Sequence, residues 1–212
     1  MDPARVLPAT ALAVPGLALG VAGLFHPTSL GYSTADAWTA VHVVGLFVFP
    51  LVGVALTLLV RGRRDLFAWA VRLTAYGYAT AYTALDVISG LAAGYVTGRI
   101  GPDQPRPEAV SFLFDVGGPL GTVGSWSLML CCALLVVDRL MRWGAAGAPV
   151  LLLLPGAYLV HADHIYPPAG ASGMALIGLA TGMLAFVGPG DRPGQPTQNS
   201  RWLGSSMPRN RS

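Results

Sequence analysis

Long apolar runs constrain this chain more than any other feature of its sequence. Several runs reach or approach the roughly 20 residues that a helix needs to cross the hydrocarbon core of a bilayer. Charged residues make up only 11% of the 212 positions, whereas soluble domains average about 25%. The pattern predicts an all-α integral membrane protein whose partner is the lipid bilayer.

The apolar runs predict a compact bundle of six transmembrane helices. The predicted spans are residues 6–25, 38–60, 66–95, 111–137, 148–164 and 169–187. The third span is longer than a membrane requires, which predicts tilt or protrusion. Residues 1–188 therefore form one transmembrane domain. Residues 189–212 are rich in Pro, Ser, Asn and Arg, and they predict a disordered, basic cytoplasmic tail.

Arginine supplies all of the positive side-chain charge, because the chain contains no lysine. A net charge of +3 could suit a nucleic-acid partner, but the distribution of the arginines indicates membrane orientation instead. If the N-terminus is inside, eleven of the thirteen arginines lie in or beside the inner segments, and only Arg99 and Arg106 lie outside. We therefore predict a multi-pass protein of the plasma membrane, with both termini cytoplasmic and no nucleic-acid partner.

The sequence HADHIYPP, at residues 161–168, is the most concentrated candidate for chemistry. It places His161 and His164, with an acid between them, at the end of the fifth predicted span. Residues three apart share one face of a helix, so the two imidazoles are expected to bind one metal ion or position one water molecule. The two prolines are expected to end the helix.

The predicted topology brings all four histidines to the outer third of the bilayer. His26 and the pair in the fifth span fall at the outer surface, and His42 lies about 6 Å below it. Asp86 lies deeper, roughly 12–15 Å from the surface. Inserting an ionisable side chain at that depth costs about 2.5–3.5 kcal/mol of free energy. Asp86 is therefore expected to have a functional role. Asp115 is shallow, near the start of the fourth span.

Imidazole nitrogen and carboxylate oxygen together are typical ligands of zinc, and they also bind iron or copper. The predicted metal ligands are His26, His42, His161 and His164. The predicted catalytic residues are Asp86, Asp115 and Tyr82. A bound metal would lower the pKa of a water molecule and supply hydroxide at neutral pH. These features favour a metal-dependent membrane hydrolase or oxidoreductase that acts on a lipid, another apolar molecule or a small solute.

Three other functions remain open on sequence alone. A b-type haem could lie between His42 and a histidine of the fifth span. A transporter or channel could use Asp86 and Tyr82 along its path. An accessory subunit would use its polar residues only to hold helices together.

Several features also have purely structural explanations. His26 and Asp115 could cap helices, and His42 could be a hydrogen-bonded packing residue. The adjacent Cys131 and Cys132 are expected to be packing residues. Glycines four residues apart, at 90 and 94, 117 and 121, and 178 and 182, predict close helix contacts and offer faces for a homo-oligomer.

Overall fold

The structure, a computed structural model, describes residues 3–186 apart from positions 103 and 106. Every regular element in that part of the chain is helical, and no strand occurs there, so the all-α class is confirmed. The predicted tail and the last residue of the predicted sixth span lie outside the described residues.

The helices follow one another through short connections. The α-helices of the described chain are α1 (Pro3–Leu24), α2 (Ala35–Leu58), α3 (Leu66–Leu85), α4 (Ala93–Ile100), α5 (Glu108–Trp143), α6 (Leu153–Asp163) and α7 (Ala169–Phe186). A π-helical segment, Asp86–Ala92, joins α3 to α4 without a break. A 3-10 segment, Gly144–Leu152, leads into α6, and a single 3-10 turn, Tyr32–Thr34, precedes α2.

Four helical stretches of the described chain are long and apolar enough to cross a membrane. They are Arg5–Leu24, Tyr32–Leu58, Glu108–Asp163 and Ala169–Phe186. The third stretch has 56 residues and includes Gly144, whose φ of 53° ends α5. The continuous helix from Leu66 to Ile100 is not among the four, since Asp86 and several tyrosines and threonines lower its mean hydropathy. The chain is therefore a membrane protein with four candidate spans.

Successive helical segments run in opposite directions, so their ends meet at two opposite poles of the bundle. At the first pole, Asp138 accepts hydrogen bonds from Arg63 (Nη1 to Oδ2, 2.7 Å) and from Arg142 (Nε to Oδ1, 2.8 Å). Asp138 is only 5% exposed, and it ties the connection between α2 and α3 to the end of α5. At the second pole, the end of α1, the start of α2 and the end of α6 meet.

The first and last helices pack at close range through small residues. A β-carbon on Gly182 would lie 2.8 Å from Cβ of Ala13, and one on Gly178 would lie 2.7 Å from the carbonyl oxygen of Ala13. Thr181 donates a hydrogen bond to the Leu12 carbonyl (2.8 Å). The other predicted glycine pairs also pack inside the chain, 90 and 94 against α2 and 117 and 121 against residues 85–89.

The helix between residues 144 and 163 departs from the predicted fifth span. α5 continues to Trp143, beyond the predicted end at residue 137, and the following residues form a 3-10 helix. Pro149 lies within this segment and has no N–H to donate, which disfavours α-helix there. Pro155 is tolerated because it lies in the first turn of α6, where N–H groups need no partner within the helix.

Candidate metal centre

Three histidines from three different helices meet at the second pole. His26 follows α1, His42 lies two turns into α2, and His164 directly follows α6. One ring nitrogen from each lies within 4.8 Å of those of the other two. Nitrogens that share one zinc ion at about 2.0–2.1 Å each are at most about 4 Å apart. Shifts of under about 1 Å would therefore bring the three onto one ion.

Backbone carbonyls fix the proton positions on two of these rings. Nδ1 of His42 lies 2.7 Å from the carbonyl oxygen of Trp38, and Nδ1 of His26 lies 2.7 Å from that of Pro27. A carbonyl only accepts hydrogen bonds, so each Nδ1 carries the proton and each Nε2 keeps its lone pair. Nε2 of His26 and Nδ1 of His164 are buried without a hydrogen-bond partner among the described residues. Lone pairs left in this way are available to a metal ion.

Burial also favours the metal-binding form of His26. Desolvation lowers the pKa of this imidazole, while its hydrogen bond to the Pro27 carbonyl opposes the shift. The shift favours the neutral ring, which is the form of imidazole that binds metals.

Asp86 lies beside the three histidines without a partner of its own. Its side chain is 1% exposed, and Oδ1 lies 4.0 Å from Nε2 of His42. Neither carboxylate oxygen accepts a hydrogen bond from the described residues. A buried carboxylate is costly unless a hydrogen-bond donor, a cation or a proton compensates it. A metal ion next to His42 would meet that need.

Two glycines and the π-helical segment position Asp86 and His42. Asp86 is the first residue of the π segment, a type of helix that occurs often at functional sites. The His42 ring lies directly against Gly90 in the same segment. The Asp86 carboxylate lies equally close to Gly45, where a β-carbon would be 2.6 Å from Oδ2. Helix α2 and the π segment thus approach closely enough for the acid and the imidazole to meet.

Aromatic side chains surround the histidine cluster. Trp38 stacks on His42 with ring centroids 5.0 Å apart, and its Nε1–H donates to the Ser89 carbonyl (3.1 Å). Tyr82 stacks on His164 at 5.4 Å, and Tyr166 meets His26 edge-on at 4.5 Å. These contacts hold the rings in place and limit access of water to the ring nitrogens.

A cavity of about 330 Å³ adjoins the cluster between α2, the π segment, α5 and α6. His42 and His164 contribute to its wall, so the candidate metal centre faces the cavity. His161, Ser125 and Asp163 also line it. The His161 ring bonds through Nδ1 to the Ser125 hydroxyl (2.8 Å).

The predicted site residues fall into three groups. His26, His42 and His164 come together, with Asp86 beside them and Tyr82 stacked on His164. His161 lines the cavity but is not one of the three grouped histidines. Asp115 lies on an exposed face of α5 and is not among the residues that line the cavity.

His161 and His164 separate because α6 ends between them. The argument from three-residue spacing assumes that both residues lie in the helix. The helix ends at Asp163, and His164 adopts φ of 52° with ψ of −125°, a left-handed, positive-φ conformation that residues other than glycine rarely adopt. The His164 side chain therefore does not follow the helical face that carries His161.

Some residues of the site carried no usable signal in the sequence. Ser125 and Trp38 lie within apolar stretches, where neither residue type indicates a site. Gly45 stands alone, without a second glycine four residues away. The spacing of Gly90 and Gly94 predicts a close helix contact, but it does not predict that the His42 ring packs against Gly90.

Comparisons with protein families, with curated proteins and with solved structures gave no match to this chain. The chemistry of the site therefore has to be argued from its own residues.

Proposed function

We propose that this protein is a metal-dependent integral membrane enzyme with a zinc ion bound by His26, His42 and His164. The observation that carries the proposal is the convergence of three histidine nitrogens within 4.8 Å beside the buried, unpartnered carboxylate of Asp86. Three protein ligands with a fourth position for water or substrate are typical of catalytic zinc sites. Iron and copper are the alternative metals for the same ligands.

We further propose six membrane spans, with both termini in the cytoplasm and the protein in the plasma membrane. The arginine distribution supports this topology. The alternating directions of the helices also support it, because they put the Arg63–Asp138 pair and the histidine cluster at opposite poles. The 56-residue apolar stretch then accounts for two spans, and the helix Leu66–Ile100 supplies the sixth.

The residues around the cluster suit hydrolysis of a carbonyl compound. A bound zinc would lower the pKa of its water and polarise the substrate carbonyl. Asp86 is placed to accept the proton of that water, since its Oδ1 lies 4.0 Å from a ligand nitrogen of His42 and neither oxygen has another partner. The aromatic rings of Trp38 and Tyr82 reduce the competition from bulk water, which strengthens electrostatic effects at the site.

The position of the cavity favours a lipid or another apolar substrate. The cavity lies at one pole of an apolar bundle, and Leu85, Phe114 and Val160 supply part of its wall. An ester or amide of an amphiphile is the class that combines an apolar part with a hydrolysable bond.

The haem alternative receives less support from the same geometry. The rings of His42 and His164, the haem-binding pair that the sequence suggested, are stacked with centroids 6.4 Å apart, and the His26 ring lies 4.9 Å and 5.9 Å from them. Rings in such close contact leave no slot for a porphyrin between them.

Metal analysis of the full chain, purified in a non-ionic detergent, tests the proposal. We expect about one zinc per chain, no Soret band, and zinc-dependent hydrolysis within a panel of fluorogenic long-chain esters and amides. His26→Ala, His42→Ala and His164→Ala should each lose the zinc. His161→Ala is the matched control and should keep it.

The outcomes separate the candidate functions. A Soret band in the wild type that is lost in His42→Ala would show that the site binds haem and not zinc. Absence of any stoichiometric metal after exposure to zinc, iron and copper would overturn the metal centre. Equal loss of zinc in His161→Ala and His164→Ala would overturn the assignment of ligands. Stoichiometric zinc without hydrolysis of any ester or amide in the panel would contradict the hydrolase chemistry.

A further inference from the structure

Four of the hydroxyl groups that line the cavity direct their protons away from it. Each donates to a backbone carbonyl: Tyr82 to Val160 (3.5 Å), Ser89 to Leu113 (3.1 Å), Thr122 to Gly118 (3.2 Å) and Ser125 to Thr122 (3.0 Å). A hydroxyl has one proton and two acceptor lone pairs. These four groups therefore offer acceptors to a bound molecule, and no donors.

His161 also presents an acceptor. The Ser125 proton goes to the Thr122 carbonyl, so the 2.8 Å bond between Ser125 and His161 requires a proton on Nδ1 of the imidazole. The lone pair of His161 is then on Nε2. The ring of Trp126 packs against the imidazole, with centroids 4.9 Å apart, and fixes its orientation. Asp163 adds a carboxylate to the same wall.

Most side-chain N–H groups of the residues that line the cavity already donate to backbone carbonyls. Nε1–H of Trp38 donates to the Ser89 carbonyl, and Nδ1–H of His42 donates to the Trp38 carbonyl. The Tyr166 hydroxyl and one ring nitrogen of His164 are the side-chain donors that remain among the residues lining the cavity. No arginine of the described residues lines it.

From this arrangement we infer that the cavity binds amphiphiles whose polar end carries hydroxyl or amino groups, and that it discriminates against phosphate and carboxylate ends. The inference rests on the proposed function, because the metal centre would bind the hydrolysable group while the acceptors on His161 and Asp163 bind the donors next to it. The substrate class is thus an ester or amide of a hydroxylated or amino amphiphile.

The energetic reason is the cost of unpaired polar groups. A hydroxyl or amino group of the ligand would satisfy an acceptor that otherwise has no partner once water leaves the cavity. A phosphate or carboxylate has no proton to give at neutral pH and would face lone pairs and the charge of Asp163. Sites built from matching hydrogen-bond groups discriminate well against ligands that lack them.

The test uses the zinc-loaded full chain in detergent and three probes with the same zinc-binding group. The probes are decanohydroxamic acid, 3-hydroxydecanohydroxamic acid and the 3-phosphate ester of the latter, with binding measured by calorimetry. We expect the hydroxylated probe to bind about fivefold more tightly than the parent, as one net hydrogen bond of about 1 kcal/mol implies. The phosphorylated probe should bind more weakly than the parent.

His161→Phe removes the acceptor but keeps a ring beside Trp126, and it should reduce the ratio of the two affinities, that for the hydroxylated probe over that for the parent, to about one. Ser125→Ala provides a second variant, because it frees His161 to change its tautomer and should weaken the preference. A wild-type protein without the preference, or one that prefers the phosphorylated probe, would overturn the inference. Persistence of the full preference in His161→Phe would do the same. Failure of the parent hydroxamate to bind, together with absence of zinc, would instead contradict the proposed function.

Discussion

The imidazole of His42 lies so close to the backbone of Gly90 that a β-carbon at position 90 would overlap the ring. Gly90 belongs to the π-helical segment that begins at Asp86, so the same segment supplies the acid and the surface on which His42 rests. The geometry of the candidate metal centre therefore depends on a residue that offers it no ligand.

Gly90→Ala should displace His42 and weaken zinc binding. We expect the zinc affinity to fall by about 10- to 100-fold, the usual effect of disturbing a group that orients a metal ligand. The measurement is a competition titration with a chromogenic chelator on detergent-purified protein. Gly118→Ala is the matched control, since a β-carbon there meets nothing within 4 Å. Equal zinc affinity in the two variants would show that Gly90 does not position His42.

Asp86→Asn should raise the stability of the metal-free protein and reduce its affinity for zinc. The metal-free protein becomes more stable because an unpartnered buried carboxylate is removed. We expect its free energy of unfolding to rise by about 1–3 kcal/mol. The affinity falls because a negative charge next to the ion is lost. Thermal unfolding with chelator and with saturating zinc measures both effects. An equal change in stability in the two conditions would show that the zinc affinity is unaltered and would make Asp86 a purely structural residue.

Asp65 should contribute stability that disappears in acid. Hydrogen bonds from Arg63, and then from the Ala68 N–H, lower the pKa of its carboxyl from 3.8 to about 2. A carboxyl whose pKa is lowered on folding stabilises the protein above its unfolded pKa, and that contribution is lost as the pH falls toward the folded value. The difference in melting temperature between the wild type and Asp65→Asn should therefore be constant above about pH 5 and shrink between pH 4 and pH 2. A difference that does not change across that range would contradict the assignment.

The proposed membrane topology predicts which residues a reagent outside the cell can reach. In intact cells, a membrane-impermeant maleimide should label cysteines introduced at Ser33 and Gln104, and it should not label one at Ser206 until the membrane is permeabilised. The native Cys131 and Cys132 are buried and should give little background. Labelling of position 206 from outside would refute the arrangement with both termini inside.

The depth of the histidines in the membrane predicts that they cluster, but it does not predict which of them belong to the cluster. Counting residues along each span places His26, His42 and the end of the fifth helix at one surface, because an α-helix rises by a fixed 1.5 Å per residue. Whether His161 or His164 joins the other two depends on where α6 ends. That end is set by the left-handed conformation of His164, which periodicity in the sequence does not reveal.

The π segment is the other feature that the sequence did not reveal. Apolar periodicity predicts a single long helix through residues 66–95, and the chain is indeed helical there. The wider turn at Asp86–Ala92 changes which residues face α2, and in the structure Asp86 packs against Gly45 and Gly90 against His42. Apolar periodicity does not distinguish this turn from an α-helical one.

The close packing of α1 against α7 has a consequence for the biosynthesis of the protein. α1 is synthesised before its glycine-rich partner surface on α7, which follows some 150 residues later. At about 5–20 residues per second, the first helix waits for roughly 8–30 seconds before that surface exists. His26 lies two residues after α1 and His164 five residues before α7, so the docking of α1 on α7 holds these two histidines together once both helices exist. A nascent or truncated chain that lacks α7 would thus bind zinc less tightly, and metal acquisition would follow the synthesis of α7.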